Sequence, residues 1–235
     1  MQKNVVITGC TKGIGRAIAI AFANKGFNVV GCARNTNDLA VLSADIQQIN
    51  PHGKHLFTCC DVSDAEAINQ FTAEVTRAYE TVDVLINNAG VFLPGQLVDE
   101  PADQLPFLLK TNVVSAYLVT KNLLPSIRKG NGGHIFNICS IASLQAYPHG
   151  GSYTISKFAL LGLSKQLRLE LKDDFIRVTA VMPGATLTDS WAGTTLPPER
   201  FIKPEDVAKT ITAIYELSDS TDVEEIIIRP QLGDI

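Results

Sequence analysis

Long apolar runs are missing from this 235-residue chain, and no stretch approaches the roughly 20 residues needed to cross a bilayer. A signal-peptide layout is missing too: Met1-Gln2-Lys3 runs straight into Asn4-Val5-Val6-Ile7-Thr8. No membrane partner and a cytoplasmic location are therefore expected. Charge of one sign is also lacking, since a net charge of -4 with scattered Lys and Arg gives no surface suited to nucleic acid or acidic lipid. The five cysteines, Cys10, Cys32, Cys59, Cys60 and Cys139, have no metal-ligand spacing, so no metal is expected and the thiols read as free. Most are small core residues on that reading. Cys10 stands apart because it lies in a glycine-rich loop, where its oxidation would block a ligand. Internal repeats and low-complexity tracts are absent.

What is present suits one domain over residues 1–235, with 46% hydrophobic residues to bury. Short apolar runs alternate with helical patterns: Val5-Val6-Ile7, then 14–25; Val29-Val30, then 39–49; Leu56-Phe57, then 65–78; Val84-Leu85-Ile86, then a long helical region over about 103–128. Ile135 to Ile138, a helix over 153–171, residues 177–181, a helix over 205–217 and residues 225–228 complete the pattern. Apolar strands separated by helices predict an α/β fold, a doubly wound parallel sheet of the Rossmann type in a single domain. Ligands in such sheets bind outside the carboxyl ends of the strands, and the chemically suggestive residues all fall there. The stretch from about Pro183 to Pro204 is irregular and holds Pro197-Pro198. Its length reads as a lid over residues 185–204 or, alternatively, as a surface excursion.

Thr8-Gly9-Cys10-Thr11-Lys12-Gly13-Ile14-Gly15 follows the first predicted strand and opens the first helix. Glycines there permit a tight turn and close approach of backbone to a pyrophosphate, while the helix start supplies unpaired N–H groups. A site preferring NAD(H) usually carries an acid about 20 residues further on, and one for NADP(H) an Arg. No acid appears from Phe27 to Asn37, and Arg34 follows the second strand. With Lys12, it would offset a 2′-phosphate charge, so NADP(H) is expected over NAD(H).

Tyr153 and Lys157 sit four apart, with Ser140 thirteen residues upstream of the tyrosine. On a helix this spacing puts phenol and ammonium on one face, where the cation lowers the phenol pKa from about 10. Tyr117 and Lys121 repeat the spacing, but Gln104 stands thirteen upstream and no phosphate-type loop accompanies them. That pair reads as an exposed helix face with a snorkelling lysine.

Together the glycine loop, Asp61-Val62, Asn87-Asn88-Ala89-Gly90, Thr111-Asn112-Val113, Ser140, Tyr153-x-x-x-Lys157 and Pro183-Gly184 to Thr188 resemble the classical short-chain dehydrogenases/reductases over nearly the whole chain. The resemblance implies a catalytic set of Asn112, Ser140, Tyr153 and Lys157. It implies that Gly9, Thr11, Lys12, Gly13, Ile14, Gly15 and Arg34 bind the cofactor. Asp61 and Val62 would meet the adenine, and Asn88, Ala89 and Gly90 would wall the adenosine ribose. Pro183, Gly184, Thr186 and Thr188 would embrace the nicotinamide carboxamide. Tyr153 would protonate a carbonyl as hydride arrives, with Lys157 lowering its pKa and holding the nicotinamide ribose. Ser140 would orient the carbonyl, and Asn112, at a break in the long helix, would hold a relay water. Cys139 stands where the family often has a second Ser.

Pocket candidates are Phe92, Gln145, Tyr147, His149 and Trp191, with Leu93 beside them; a loop His such as His149 is more often simply exposed. The leading expectation is an NADPH-dependent reductase of small-molecule ketones or 3-oxoacyl groups. Alternatives are an NADP-linked alcohol or sugar dehydrogenase and a non-catalytic NADP(H)-binding protein. The resemblance also implies a homodimer or homotetramer assembled through the two long helices and the tail near 229–235.

Overall fold

The computed structural model describes residues 2–130 and 132–235. Seven strands form one parallel sheet: β1 (Asn4–Thr8), β2 (Asn28–Ala33), β3 (Leu56–Cys59), β4 (Val84–Asn87), β5 (Gly133–Ile138), β6 (Ile176–Pro183) and β7 (Glu225–Ile228). Their order is β3-β2-β1-β4-β5-β6-β7. The order reverses between β1 and β4, where Val5, Val6 and Ile7 pair with Val84, Leu85 and Ile86. A crevice opens at such a reversal, outside the carboxyl ends of the strands.

Alternation along each strand divides the core into two layers. Val5 and Ile7 join α1 (Gly13–Asn24), α2 (Thr36–Ile49) and α7 (Pro204–Tyr215) through Ile18, Phe22, Leu42, Ile46 and Ile211. Val6 and Leu85 face the other way, onto α3 (Ala65–Ala78) and α5 (Ser115–Lys129), where Phe71, Val75, Val119 and Leu123 meet them. On that side α6 (Gly151–Leu171) packs through Leu160 and Leu161 on Ala180 and Met182 of β6. No helix among the described residues is long and apolar enough to cross a membrane.

Two details refine the expected elements. The long helix foreseen over 103–128 is α4 (Gln104–Leu109), a π-helical turn (Lys110–Val114) and α5 in direct succession. The π turn carries Asn112, so the expected break is one residue of extra helical phase rather than a gap. The 185–204 stretch is less irregular than it reads. Thr186 bridges Ile202, the Leu187 N–H donates to the Ile202 carbonyl at 2.9 Å, and Trp191 packs edge-on against Phe201 at 5.0 Å between centroids.

Candidate active site

Over the reversal point lies a cavity of about 1140 Å³ that runs from Arg34, past the glycine loop, to Tyr153 and Trp191. Its floor is built by backbone geometry. Gly9 and Gly13 hold φ values of +64° and +50°, a region that disfavours side chains. At Gly15 a Cβ would lie 2.2 Å from the Gly9 carbonyl oxygen and 2.4 Å from Asn88 Nδ2. Gly15 therefore acts by close approach behind the cavity wall. Asn88 ties the two sides of the crevice together, donating from Nδ2 to the carbonyls of Thr8 and Gly9 at 3.0 and 2.9 Å. The backbone N–H groups of Asn88 and Ala89 both donate to Thr8 Oγ1. Among the described residues the N-cap Lys12 gives α1 no side-chain cap, which leaves its first N–H groups for an anion in this cradle. A dinucleotide pyrophosphate fits both the glycine cradle and these donors.

At the far end Asp61 accepts from the Ser63 N–H at 2.9 Å. Burial pushes its carboxyl up, but the Ser63 N–H and hydroxyl, then Arg34 and Lys110, hold it below the usual carboxylate range. Lys12 is shared between Asp38, at 3.7 Å, and Asp189, at 3.4 Å. Asp38 lies one residue beyond the stretch that had seemed free of acids, in the first turn of α2. Asn35 caps that turn, accepting from the N–H groups of Asn37 and Asp38. Arg34 lines the cavity and forms no ion pair among the described residues.

Tyr153 and Lys157 share one face of α6, and Ser140 stands at the end of β5 across from them, all three on the cavity wall. Burial pushes the Tyr153 phenol up to about 12, against a smaller downward pull from the Ser140 hydroxyl. Burial also brings Lys157 down to about 8. Its ammonium donates to the Ile138 carbonyl at 2.8 Å and lies 5.7 Å from the Tyr153 ring centroid. The protein's own groups thus do not draw Tyr153 below its ordinary value, contrary to the expectation that Lys157 would. Desolvation of the phenol is the largest cause, ahead of the pull from Ser140. Tyr117, the residue with the same spacing, is 44% exposed, and Lys121 reaches its hydroxyl at 3.4 Å on the surface.

Asn112 is buried behind the wall. Its Oδ1 accepts from the Val91 N–H, while its Nδ2 donates to the Val91 carbonyl and to Ser156 Oγ, at 2.8, 3.0 and 3.0 Å. Phe92 packs edge-on against Tyr153 at 4.9 Å. Gln145, Tyr147 and Trp191 line the cavity, as do Val62, Gly90, Pro183, Gly184, Thr186 and Thr188. His149 does not. It adopts φ +62°, and its carbonyl accepts from the Gly95 N–H at 3.0 Å, so its place is a backbone turn. Cys10 is fully buried against Gly31, and burial pushes its thiol up to about 12.

Sequence reasoning missed Asp38, the Ile138 carbonyl, Phe107, and the tail residues Asp234 and Ile235, which also line the cavity. Arg229 pairs with Asp234, and Arg200 donates to the Asp234 carbonyl at 3.4 Å. Only Asp38 carried a local signal, as an acid one turn past Arg34.

Comparison with known proteins agrees with this geometry. The chain is 33% identical to the sepiapterin reductase of Chlorobaculum tepidum, covering 100% of this chain and 99% of that protein. Among solved structures, an alcohol dehydrogenase from Thermococcus sibiricus complexed with 5-hydroxy-NADP superimposes with a TM-score of 0.90 at 27% identity, covering 98% of this chain and 97% of the other. The L-sorbose reductase of Gluconobacter frateurii, complexed with NADPH and L-sorbose, gives 0.90 at 26% identity, covering 97% and 95%. The family model described as short chain dehydrogenase matches residues 3–197. A chain with this sheet order, a glycine cradle at its reversal point and such relatives along its whole length belongs to the short-chain dehydrogenases, oxidoreductases that bind a nicotinamide cofactor.

Proposed function

We propose that this chain is a reductase of small-molecule carbonyl compounds, ketones or 3-oxoacyl groups, using NADPH. The observation that carries the reading is the meeting of Tyr153, Ser140 and Lys157 on one wall of the cavity, beside the glycine cradle. The cofactor supplies the hydride. Burial keeps the Tyr153 phenol protonated at neutral pH, so it carries the proton that a carbonyl oxygen takes up as hydride arrives. Ser140, on the same cavity wall as that phenol, polarises the same oxygen. Lys157, still an ammonium below about pH 8, faces the phenolate that remains after transfer and has N–H groups left for ribose hydroxyls.

NADPH is favoured over NADH because Arg34 lines the cavity end beyond β2 with no carboxylate paired to it among the described residues. Several solved relatives carry NADP or NADPH. Trp191 and the 185–204 stretch form a short lid on this reading, and Asn112 holds a water of the proton relay.

The test is NADPH consumption over a panel of ketones, oxoacyl thioesters and sugars. Tyr153→Phe is expected to lower kcat by about 10²–10⁴-fold, the usual range for a positioned proton donor, while NADPH binding persists. Substantial turnover by that variant would overturn the role.

A further inference from the structure

The catalytic helix α6 begins at Gly151 without a capping side chain from its own N-cap residue, Gly150. The missing cap arrives from 52 residues away. Glu100 Oε1 and Oε2 accept from the Ser152 N–H at 3.0 and 3.1 Å, and Oε2 also accepts from the Ser152 hydroxyl. Ser152 is 1% exposed and immediately precedes Tyr153.

The surroundings are shaped around this carboxylate. A Cβ at Gly151, whose φ is +37°, would fall 1.8 Å from Glu100 Oε1, and one at Gly95 would fall 2.9 Å from Glu100 Cγ. Gly95 further ties the loop to the turn before α6 through its N–H bond to the His149 carbonyl. One loop thus carries Phe92, which packs on the Tyr153 ring, and Glu100, which holds the first turn of the helix bearing that tyrosine.

We propose that Glu100 is a positioning residue for Tyr153: by capping α6 at Ser152 it sets the direction of the phenol toward the substrate oxygen and locks the 91–100 loop against it. This rests on the reading of Tyr153 as proton donor. A tyrosine at the third residue of an unpinned helix start would fray with it, and a misplacement of about 1 Å at a reacting group can cost on the order of 10²-fold in rate.

The experiment compares wild type, Tyr153→Phe, Glu100→Ala, Glu100→Gln and Ser152→Ala by steady-state kinetics, NADPH binding and amide hydrogen exchange. Glu100→Ala is expected to lower kcat by about tenfold or more with the NADPH Kd little changed, as befits lost orientation rather than lost binding. Glu100→Gln, which retains one accepting oxygen, should fall between. The Ser152 amide, whose partner is Glu100, should exchange faster in Glu100→Ala while the amides of β1 keep their protection. Should Glu100→Ala fail to fold, Glu100→Gln and Ser152→Ala carry the comparison.

An unchanged kcat, or unchanged Ser152 exchange, would overturn the inference, as would a defect confined to NADPH binding or thermal stability. Retained turnover in Tyr153→Phe would instead overturn the donor reading. If wild type reduces no carbonyl at all, the functional reading falls alone, and Ser152 exchange still decides whether Glu100 pins the helix.

Discussion

Lys12 divides its charge between Asp38 and Asp189, whereas Arg34, on the same stretch of cavity wall, has no ion-pair partner among the described residues. A cation already facing two carboxylates has less left for a 2′-phosphate. A free guanidinium offers a planar pair of donors, and hydrogen bonds to charged groups contribute about 1.5–3 kcal/mol. Arg34→Ala is therefore expected to weaken NADPH binding by roughly 10–100-fold, the equivalent of that energy, and to leave NADH nearly unaffected. Lys12→Ala should weaken it by only about two- to threefold, as for an exposed pair. Titration of both variants with both nucleotides checks this, and equal losses would refute the ranking.

His134 supplies a second expectation at this scale. It is fully buried, stacked on Phe136 at 3.8 Å, with Nε2 2.7 Å from Thr179 Oγ1. Burial, with Arg177 adding repulsion, lowers its pKa from 6.5 to about 2. The unfolded chain takes up a proton below pH 6.5 that the folded chain refuses, so stability is full above that pH and is lost as pH falls toward about 2. The loss from this residue is about 1.4 kcal/mol per pH unit once well below 6.5. Urea midpoints of wild type and His134→Gln between pH 7.5 and 5.5 should show a shallower decline in the variant; parallel declines would show that His134 does not drive the acid sensitivity.

Among the elements, strands and helices were legible because burial imposes periodicity. Val5-Val6-Ile7 alternates between two core layers, and helix α3 shows its buried stripe in Ile68, Phe71 and Val75. The glycine loop was legible because its backbone leaves no room for side chains, and Tyr153 with Lys157 because a helix brings i and i+4 together. Contacts that join segments far apart in the chain leave no such mark. Glu100 reads as a loop acid beside Asp99 until the fold brings it to Ser152. The π turn at Asn112 looks like ordinary helix, because a single residue of extra phase barely disturbs a hydrophobic pattern. His149 stood among the pocket candidates with simple exposure as its more usual lot, and exposed it is, while the left-handed turn before α6 makes its carbonyl the working group. The tuning of Tyr153 was misjudged for a related reason: charge proximity can be read from spacing, but desolvation depends on everything packed around the phenol.

For the whole molecule, the π turn and the long helices leave Val114, Tyr117, Ile155, Phe158 and Leu169 exposed, and β7 and the tail leave Ile227 and Leu232 exposed. A second copy of the chain is the proposed cover for these apolar residues, giving a homodimer or homotetramer. Sedimentation equilibrium of wild type should report two or four chains, and Phe158→Glu should shift that mass downward; a monomeric wild type would refute the assembly.

The tail also bears on how the protein can be handled. Ile235 and Asp234 line the cavity, with Arg229 and Arg200 holding the latter. Residues 2 and 3, by contrast, lead into the amino end of β1, opposite the ligand-binding edge of the sheet. A purification handle fused after Ile235 would begin at an exposed edge of the cavity and compete with whatever enters there. One placed ahead of Gln2 would grow from the far side of the sheet, clear of the cavity.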